Sequence, residues 1–185
     1  MFQFFDVTVP PSAPVTLRRA NAADLAWLLP LAKRIFCETF EAHYQPHHFW
    51  GYVDRAYAPE VWQAELANPD YHYVGAWVGE QPIGYLKLSS DYRPEVLEGQ
   101  HLLEVAKLYV DQRYHGQGVA QRLMEHALSY AEEHGFDGLW LGVWEHNHRA
   151  MAFYRKYGFE IVGTHPFEMG AGLVEDDFVM RRSSG

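Results

Sequence analysis

The sequence predicts an α/β (α+β) domain, a mixed central β-sheet of about seven strands flanked on both faces by about four helices. Three observations predict it. Short apolar runs alternate with stretches of helical spacing in the order β-α-α-β-β-β-α-β-α-β-β. Apolar residues make up 48% of the 185 residues and aromatic residues 16%, enough for one domain with a real core. No fixed-period repeat and no linker divides the chain, so residues 15–183 read as a single domain after an N-terminal arm, residues 1–14.

Each element has its own signal. Pro10, Pro11 and Pro14 oppose regular structure in the arm. Residues 15 to 19 read as a first strand. Asn21 caps the first helix, with Asp24 in its first turn. Leu25, Leu28, Leu29, Ala32, Ile35, Phe36, Thr39 and Phe40 recur at helical spacing, and Pro30 within them predicts a kink or a split. Glu38, Glu41, His43, Tyr44, His47 and His48 then crowd around Pro46. They read as a polar loop facing a substrate, as a solvated helix end, or as a metal site. Adjacent His47 and His48 cannot easily chelate one ion from a helix, and no metal is expected. Pro59 opens a second helix that ends at Asn68-Pro69.

Residues 73 to 78 and 83 to 88 read as a hairpin about Gly79-Glu80-Gln81-Pro82. Residues 102 to 110 form a β-branched, apolar central strand. A helix starts at Gly118 and closes at Gly135. Residues 137 to 143 are the next strand, and a helix carrying Ala150, Phe153, Tyr154 and Tyr157 closes at Gly158. Strands at 159 to 163 and 178 to 180 bracket a loop with His165, Phe167, Glu175, Asp176 and Asp177.

Composition excludes several classes. The formal net charge of −9 argues against nucleic acid as the main partner. It is compatible with a cationic small substrate. Cys37 is the single cysteine, so no intramolecular disulfide forms, which suits a reducing cytoplasmic setting. Its surroundings read as a helix interior rather than a nucleophile's site. The first residues, MFQFFDVTVPPSAP, do not read as a signal peptide, and no segment approaches a membrane-spanning length.

The chemistry concentrates after the central strand. Arg113-Tyr114-His115-Gly116-Gln117-Gly118 is a basic, glycine-bearing turn that runs straight into a helix. Strand, glycine turn and helix present backbone N–H groups at the positive end of a helix dipole, which suits phosphate. Arg113 would add a fixed positive charge. A Walker loop requires Gly-Lys-Ser/Thr, whereas Gly118 is followed by Val119 and Ala120. A dinucleotide fingerprint requires a third glycine where Gln121 stands. An ordinary strand–helix turn remains an alternative for the two glycines alone.

The turn reads Arg-x-x-Gly-x-Gly-x-Ala after Leu-Tyr-Val, which resembles the pyrophosphate loop of the GNAT N-acetyltransferase superfamily. Residues 147 to 159, Asn-His-Arg-Ala-Met-Ala-Phe-Tyr-Arg-Lys-Tyr-Gly-Phe, resemble that superfamily's second signature, N-x-x-A-x-x-F-Y-x-x-x-G-F. The resemblance runs roughly from Val15 to Met180. The Leu-Gly-Val-Trp-Glu-His-Asn and Gly-Thr-His-Pro-Phe-Glu-Met-Gly wording is similar to the PaiA-like branch, associated with spermidine and spermine N-acetylation.

The resemblance implies a GNAT-like fold and acetyl transfer from acetyl-CoA, as co-substrate, to a small-molecule amine, with a polyamine as first candidate. Other acceptors (an amino acid, an antibiotic, a protein N-terminus) and a non-catalytic CoA-binding regulatory module are the alternatives. By resemblance, Leu108, Tyr109 and Val110 offer main-chain contacts to the pantetheine arm. Arg113, His115, Gly116, Gln117, Gly118, Val119, Ala120 and Gln121 would hold the pyrophosphate, and Asn147 would contact the co-substrate. Tyr154 would protonate the departing thiolate, and Glu104 would take the amine's proton. A core aromatic and a charged strand-start residue are the plain readings of those two positions. Glu38, Glu41 and Tyr85 are candidates for lining the amine site; His165 and the Glu175-Asp176-Asp177 cluster could do the same, the cluster reading otherwise as a solvated loop. No nucleic-acid or membrane partner is expected, and a homodimer is left open.

Overall fold

The structure, a computed structural model, describes residues 14–170 and 172–183; the expected N-terminal arm lies outside them apart from Pro14. Seven strands form one sheet: β1 Val15–Ala20, β2 Tyr71–Val78, β3 Gln81–Ser89, β4 Leu102–Val110, β5 Gly138–Trp144, β6 Glu160–Gly170 and β7 Leu173–Ser183. Their spatial order is β1-β2-β3-β4-β5-β7-β6. All neighbours are antiparallel except the central pair, β4 and β5. Five α-helices among the described residues cover the faces: α1 Leu25–Phe40, α2 Pro46–Ala56, α3 Pro59–Ala67, α4 Val119–Glu133 and α5 His148–Lys156.

The expected sheet is present, and the helices exceed the expected number by one, α2. Pro46 begins α2 rather than interrupting a loop, because the first helical turn has no need of the N–H that proline lacks. Phe49 and Val53, one helical step apart, are fully buried and seat α2 against the α1 side of the sheet. Pro30 sits within α1, which continues through it to Phe40 without a split. The loop expected between residues 163 and 178 is instead the hairpin β6–β7, whose register shifts between Ile161 and Gly163 and again between Glu168 and Gly170. Those irregularities break the strict two-residue alternation that would mark the strands in the sequence.

Among the described residues two large apolar cores lie on opposite faces of the sheet, beside a smaller cluster of Leu97, Leu102, Trp140 and Val179. One joins Leu86, Leu88, Val105, Leu123, Met124, Leu139 and Met180 beneath α4 and α5. The other, rich in aromatics, joins Phe36, Phe40, Phe49, Tyr57, Trp62, Tyr73 and Tyr85 beneath α1, α2 and α3.

Two features of β4 shape the centre of the molecule. It pairs with β5 only from Leu102 to Glu104, and beyond Trp140 the two parallel strands diverge. Against β3, the register steps from Lys87↔Lys107 to Leu88↔Val105, so Ala106 is an extra, bulged residue. The bulge resets which face the later side chains meet. Val105, Leu108 and Val110 face the core under α4, whereas Tyr109 packs in the aromatic core under α1.

Close packing fixes α1 on the sheet at Gly75. A Cβ there would lie 2.5 Å from the ring of Trp27, whose indole donates to Asp24 at 2.8 Å and meets Trp77 edge-on. We expect Gly75→Val to destabilise the fold by roughly 1–3 kcal/mol, measured by urea denaturation; an unchanged midpoint would show that α1 does not depend on this contact.

Candidate active site

The divergence of β4 from β5 opens a cavity of about 250 Å³. Its walls are Val105 to Val110 of β4, Val143 of β5, Ile35, Thr39 and Phe40 of α1, and Ala150, Phe153 and Tyr154 of α5, with His115, Ala120, Asn147 and Arg149 at the loop side. Backbone groups of β4 beyond Glu104 have no β5 partner in the sheet register, so an extended ligand can take that place along Leu108 and Tyr109.

The turn after β4 is held by buried Asp111, whose side chain is 1% exposed. Its carboxylate accepts from the backbone N–H, Nε and a terminal nitrogen of Arg113 and from Arg34 at 2.6 Å. Burial opposes its ionisation, but these hydrogen bonds outweigh burial and hold the carboxyl well below the usual range. Arg113 is therefore not the free cation expected from the sequence. Part of its role is to fix the turn, and Arg34 also binds Glu38 at 3.0 Å.

His115 makes two bonds that set its tautomer. Its Nε2–H donates to the Val110 carbonyl at 2.8 Å, and its Nδ1 accepts from Arg149 at 2.8 Å. A neutral imidazole thus joins the end of β4 to a guanidinium on α5.

The turn fits a phosphate-bearing ligand. Gly116 and Gly118 have φ of +78° and +80°, and a Cβ at either would meet nothing within 4 Å, so open space lies before the backbone. Gly118 is the residue before α4, leaving the N–H groups of Val119, Ala120 and Gln121 without intrahelical acceptors. Val119 itself is buried in the core, so its contribution is its N–H alone. Gln117 is tied back, its side chain donating to the Arg113 carbonyl.

Asn147 caps α5 by accepting from the Ala150 N–H at 3.1 Å. Tyr154 stands on the cavity-facing side of α5, packed by Phe153 and Phe159. Burial pushes its hydroxyl up to about 12, so it is a neutral phenol that can donate a proton. Glu104 lies behind the cavities rather than in their walls. Burial pushes its carboxyl up to about 7, against the opposing pull of Lys87, Lys107 and a hydrogen bond with Ser89.

A second cavity, of about 120 Å³, adjoins the first. Phe36, Phe40, Tyr44, Tyr52, Tyr109, Trp144, Phe167 and Met169 line it, with Asp177 as its carboxylate. Burial, together with the charge of Glu175, pushes Asp177 up to about 6. Glu175 accepts from the Tyr44 hydroxyl at 2.6 Å. The acidic pair comes from β7, where the sequence suggests a solvated loop; Asp177 faces Trp144 in the strand register. Long-range β6–β7 pairing brings these residues in; in the sequence the cluster stands out by its charge alone.

Three of the expected amine-site residues are placed elsewhere. Glu38 is bound to Arg34, Glu41 is exposed in a single turn after α1, and Tyr85 is fully buried in the aromatic core. None of the three lines either cavity. Among the described residues no group of three or more His, Cys, Asp or Glu could hold a metal ion, and His48 instead bonds the Gly170 carbonyl. No helix among them is long and apolar enough to cross a membrane.

Comparison with known proteins agrees with this geometry. The family described as "Acetyltransferase (GNAT) family" matches residues 32–159. An N-acetyltransferase of Mycobacterium tuberculosis is 34% identical over 86% of this chain and 97% of its own. The N-alpha-acetyltransferase RimI of the same organism is 35% identical over 71% of this chain and 78% of its own. The crystal structure of PaiA N-acetyltransferase from Thermoplasma acidophilum, in complex with coenzyme A, superposes with a TM-score of 0.76 at 20% identity, covering 92% of this chain and 99% of that one. The cavity along β4, the glycine turn and the sequence match together place this chain in the GNAT family of acetyltransferases, enzymes of acyl transfer that use acetyl-CoA.

Proposed function

We propose that the chain transfers acetyl from acetyl-CoA to the primary amine of a slender alkylammonium acceptor, with a polyamine such as spermidine or spermine as first candidate. The observation that carries this reading is the aromatic cavity with Asp177 in its wall, which meets the donor cavity at β4. Aromatic faces attract a cation and a carboxylate pairs with it, while the apolar walls accept methylenes. A polyamine combines those features. A protein N-terminus, which the name of the RimI relative suggests, presents a shorter and bulkier ammonium.

Acetyl-CoA supplies the activated acyl group as a thioester. The chain's residues bind and orient it. Main-chain groups at Leu108, Tyr109 and Val110 line the arm's path; the Val110 carbonyl already accepts one bond from His115, so its second lone pair is the one available. The pyrophosphate rests on the N–H groups of Gly116 and of Gly118 to Gln121, the Gln117 N–H being already bonded to the Tyr114 carbonyl, with Arg149 nearby through His115 and Arg113 holding the turn. Asn147 sets the start of α5 and so the position of Tyr154. The Tyr154 hydroxyl gives its proton to the leaving sulfur, a role suited to a phenol that remains neutral at pH 7. Glu104 is the final resting place of the amine's proton.

Three outcomes test this reading. In a panel of spermidine, spermine, a lysine peptide and an N-terminal peptide, with released thiol as readout, the polyamines are expected to give the highest kcat/KM; no polyamine turnover would refute that acceptor. Tyr154→Phe is expected to lower kcat by roughly ten- to a thousand-fold with acetyl-CoA affinity retained, and full turnover across the pH range would remove Tyr154 from the chemistry. Asp177 is ionised above about pH 6, so the acceptor KM should rise as pH falls through that value. Asp177→Asn should raise KM by about tenfold or more and flatten that dependence; a KM that still rises on acidification in the variant would assign the effect elsewhere.

A further inference from the structure

Four residues line both cavities: Phe40, Ala106, Lys107 and Tyr109. They mark the seam where acyl donor and amine would meet. Lys107 and Tyr109 are the ionisable pair among them. Burial pushes the Tyr109 hydroxyl far above its ordinary value, so it accepts no proton as a phenolate. Glu104 is absent from both sets of wall residues. It needs an intermediary if it is to receive the amine's proton.

The bulge at Ala106 supplies the geometry. Residues three apart in a regular strand point to opposite faces. Here Lys107 stands opposite Lys87 and Glu104 opposite Ser89, and Lys87 and Ser89 share a face of β3. The extra residue therefore brings Lys107 and Glu104 to one face, Lys107 at the seam and Glu104 behind it.

We propose that Lys107 is the catalytic base of acetyl transfer, taking a proton from the acceptor ammonium at the seam and passing it to Glu104. This rests on the reading of the second cavity as the acceptor site.

The surroundings favour an uncharged Lys107. Burial lowers its pKa, and the charges of Glu65 and Glu104 only partly oppose that. Glu65 is already committed, bonded to Lys87 Nζ at 2.7 Å and to the Tyr73 hydroxyl. Lys87 is itself a neighbouring cation on β3. The Tyr57 ring, next to α2, lies 5.8 Å from Lys107 Nζ. Across the donor cavity stand Arg149 and the neutral groups His115 and Tyr154; across the acceptor cavity stand Tyr44, Tyr52 and Asp177. A lysine so placed is the kind that serves as a base.

The protons balance. An ammonium nitrogen carries two more hydrogens than the amide nitrogen it becomes. Lys107 Nζ takes the first, which frees the lone pair to form the bond to the acetyl carbon, and Glu104 receives that proton in turn. The second leaves nitrogen as the carbon–sulfur bond breaks and restores to Tyr154 the proton that its hydroxyl gives to the sulfur, so one proton ends on Glu104 and one on the thiol.

Two measurements test the proposal. The chain has four lysines, Lys33, Lys87, Lys107 and Lys156, so their side-chain Cε and Nζ resonances can be followed by NMR in the labelled protein alone. Lys107 is expected to titrate at lower pH than Lys33 and Lys156; titration together with them would overturn the proposal whatever the acceptor proves to be. In kinetics, Lys107→Met and Lys107→Arg are both expected to lower kcat by about a hundredfold or more and to abolish the rise of kcat with pH at saturating acceptor, a quantity that the effect of Asp177 on KM does not enter. The arginine variant keeps a long basic side chain but cannot lose its proton, so loss of activity in both variants is not a matter of side-chain length alone. A rising pH limb like that of the wild type in either variant would overturn the proposal. Wild-type protein that binds acetyl-CoA by calorimetry yet acetylates no amine would instead defeat the acceptor reading, and the NMR titration would still decide the state of Lys107.

Discussion

The site depends on one constraint: β4 must serve two neighbours that do not agree with it. It stays in register with β3 along its length at the cost of a bulge at Ala106. It keeps β5 for only three residue pairs, Leu102↔Gly138 to Glu104↔Trp140. A parallel pair that diverges leaves backbone groups unpaired, and buried unpaired groups are costly unless something takes the missing strand's place. A ligand's amide-bearing arm can do so. The bulge and the divergence fall at the same point, so the ligand path and the re-aimed side chains coincide.

Electrostatics divides the two halves of the site. On the donor side, Glu38, Arg34, Asp111 and Arg113 form a chain of alternating charges that fixes the turn. Its charges largely cancel, and the anion-binding character comes from oriented N–H groups at α4. On the acceptor side, Asp177 and Glu175 make a small acidic centre among aromatics. A formal charge of −9 is compatible with an anionic co-substrate because oriented N–H groups at a helix start attract anions locally, whatever the net charge.

The fold is legible where the signal is local. The Gly116 and Gly118 turn, the Asn21 cap and the strand from Leu102 to Val110 each come from short-range pattern. Helix α2 is hidden because Pro46 reads as a breaker, although proline at a first helical turn starts helices as readily as it ends them. The first cavity and the glycine turn are walled largely by contiguous segments, Val105 to Val110, His115 to Gln121 and Asn147 to Tyr154, which short-range pattern singles out. The second cavity is assembled from Phe36 on α1, Tyr52 on α2, Trp144 on β5, Phe167 on β6 and Asp177 on β7, which only the sheet order brings together. Charge and proximity in sequence suggest Glu38, Glu41 and Tyr85, and ion pairing, exposure and burial respectively keep them out of the cavities. The bulge at Ala106 has no sequence signature, since alanine there reads as an ordinary strand residue.

The most direct test of the two-cavity site is a crystal structure with a bisubstrate adduct, CoA joined through an acetyl bridge to spermidine. The pyrophosphate is expected on the N–H groups of residues 116 and 118 to 121 and the bridge beside Lys107 and Ala106. The polyamine is expected among Tyr44, Trp144 and Phe167 with an ammonium on Asp177. A polyamine leaving the cleft by another path, with the aromatic cavity empty, would contradict it.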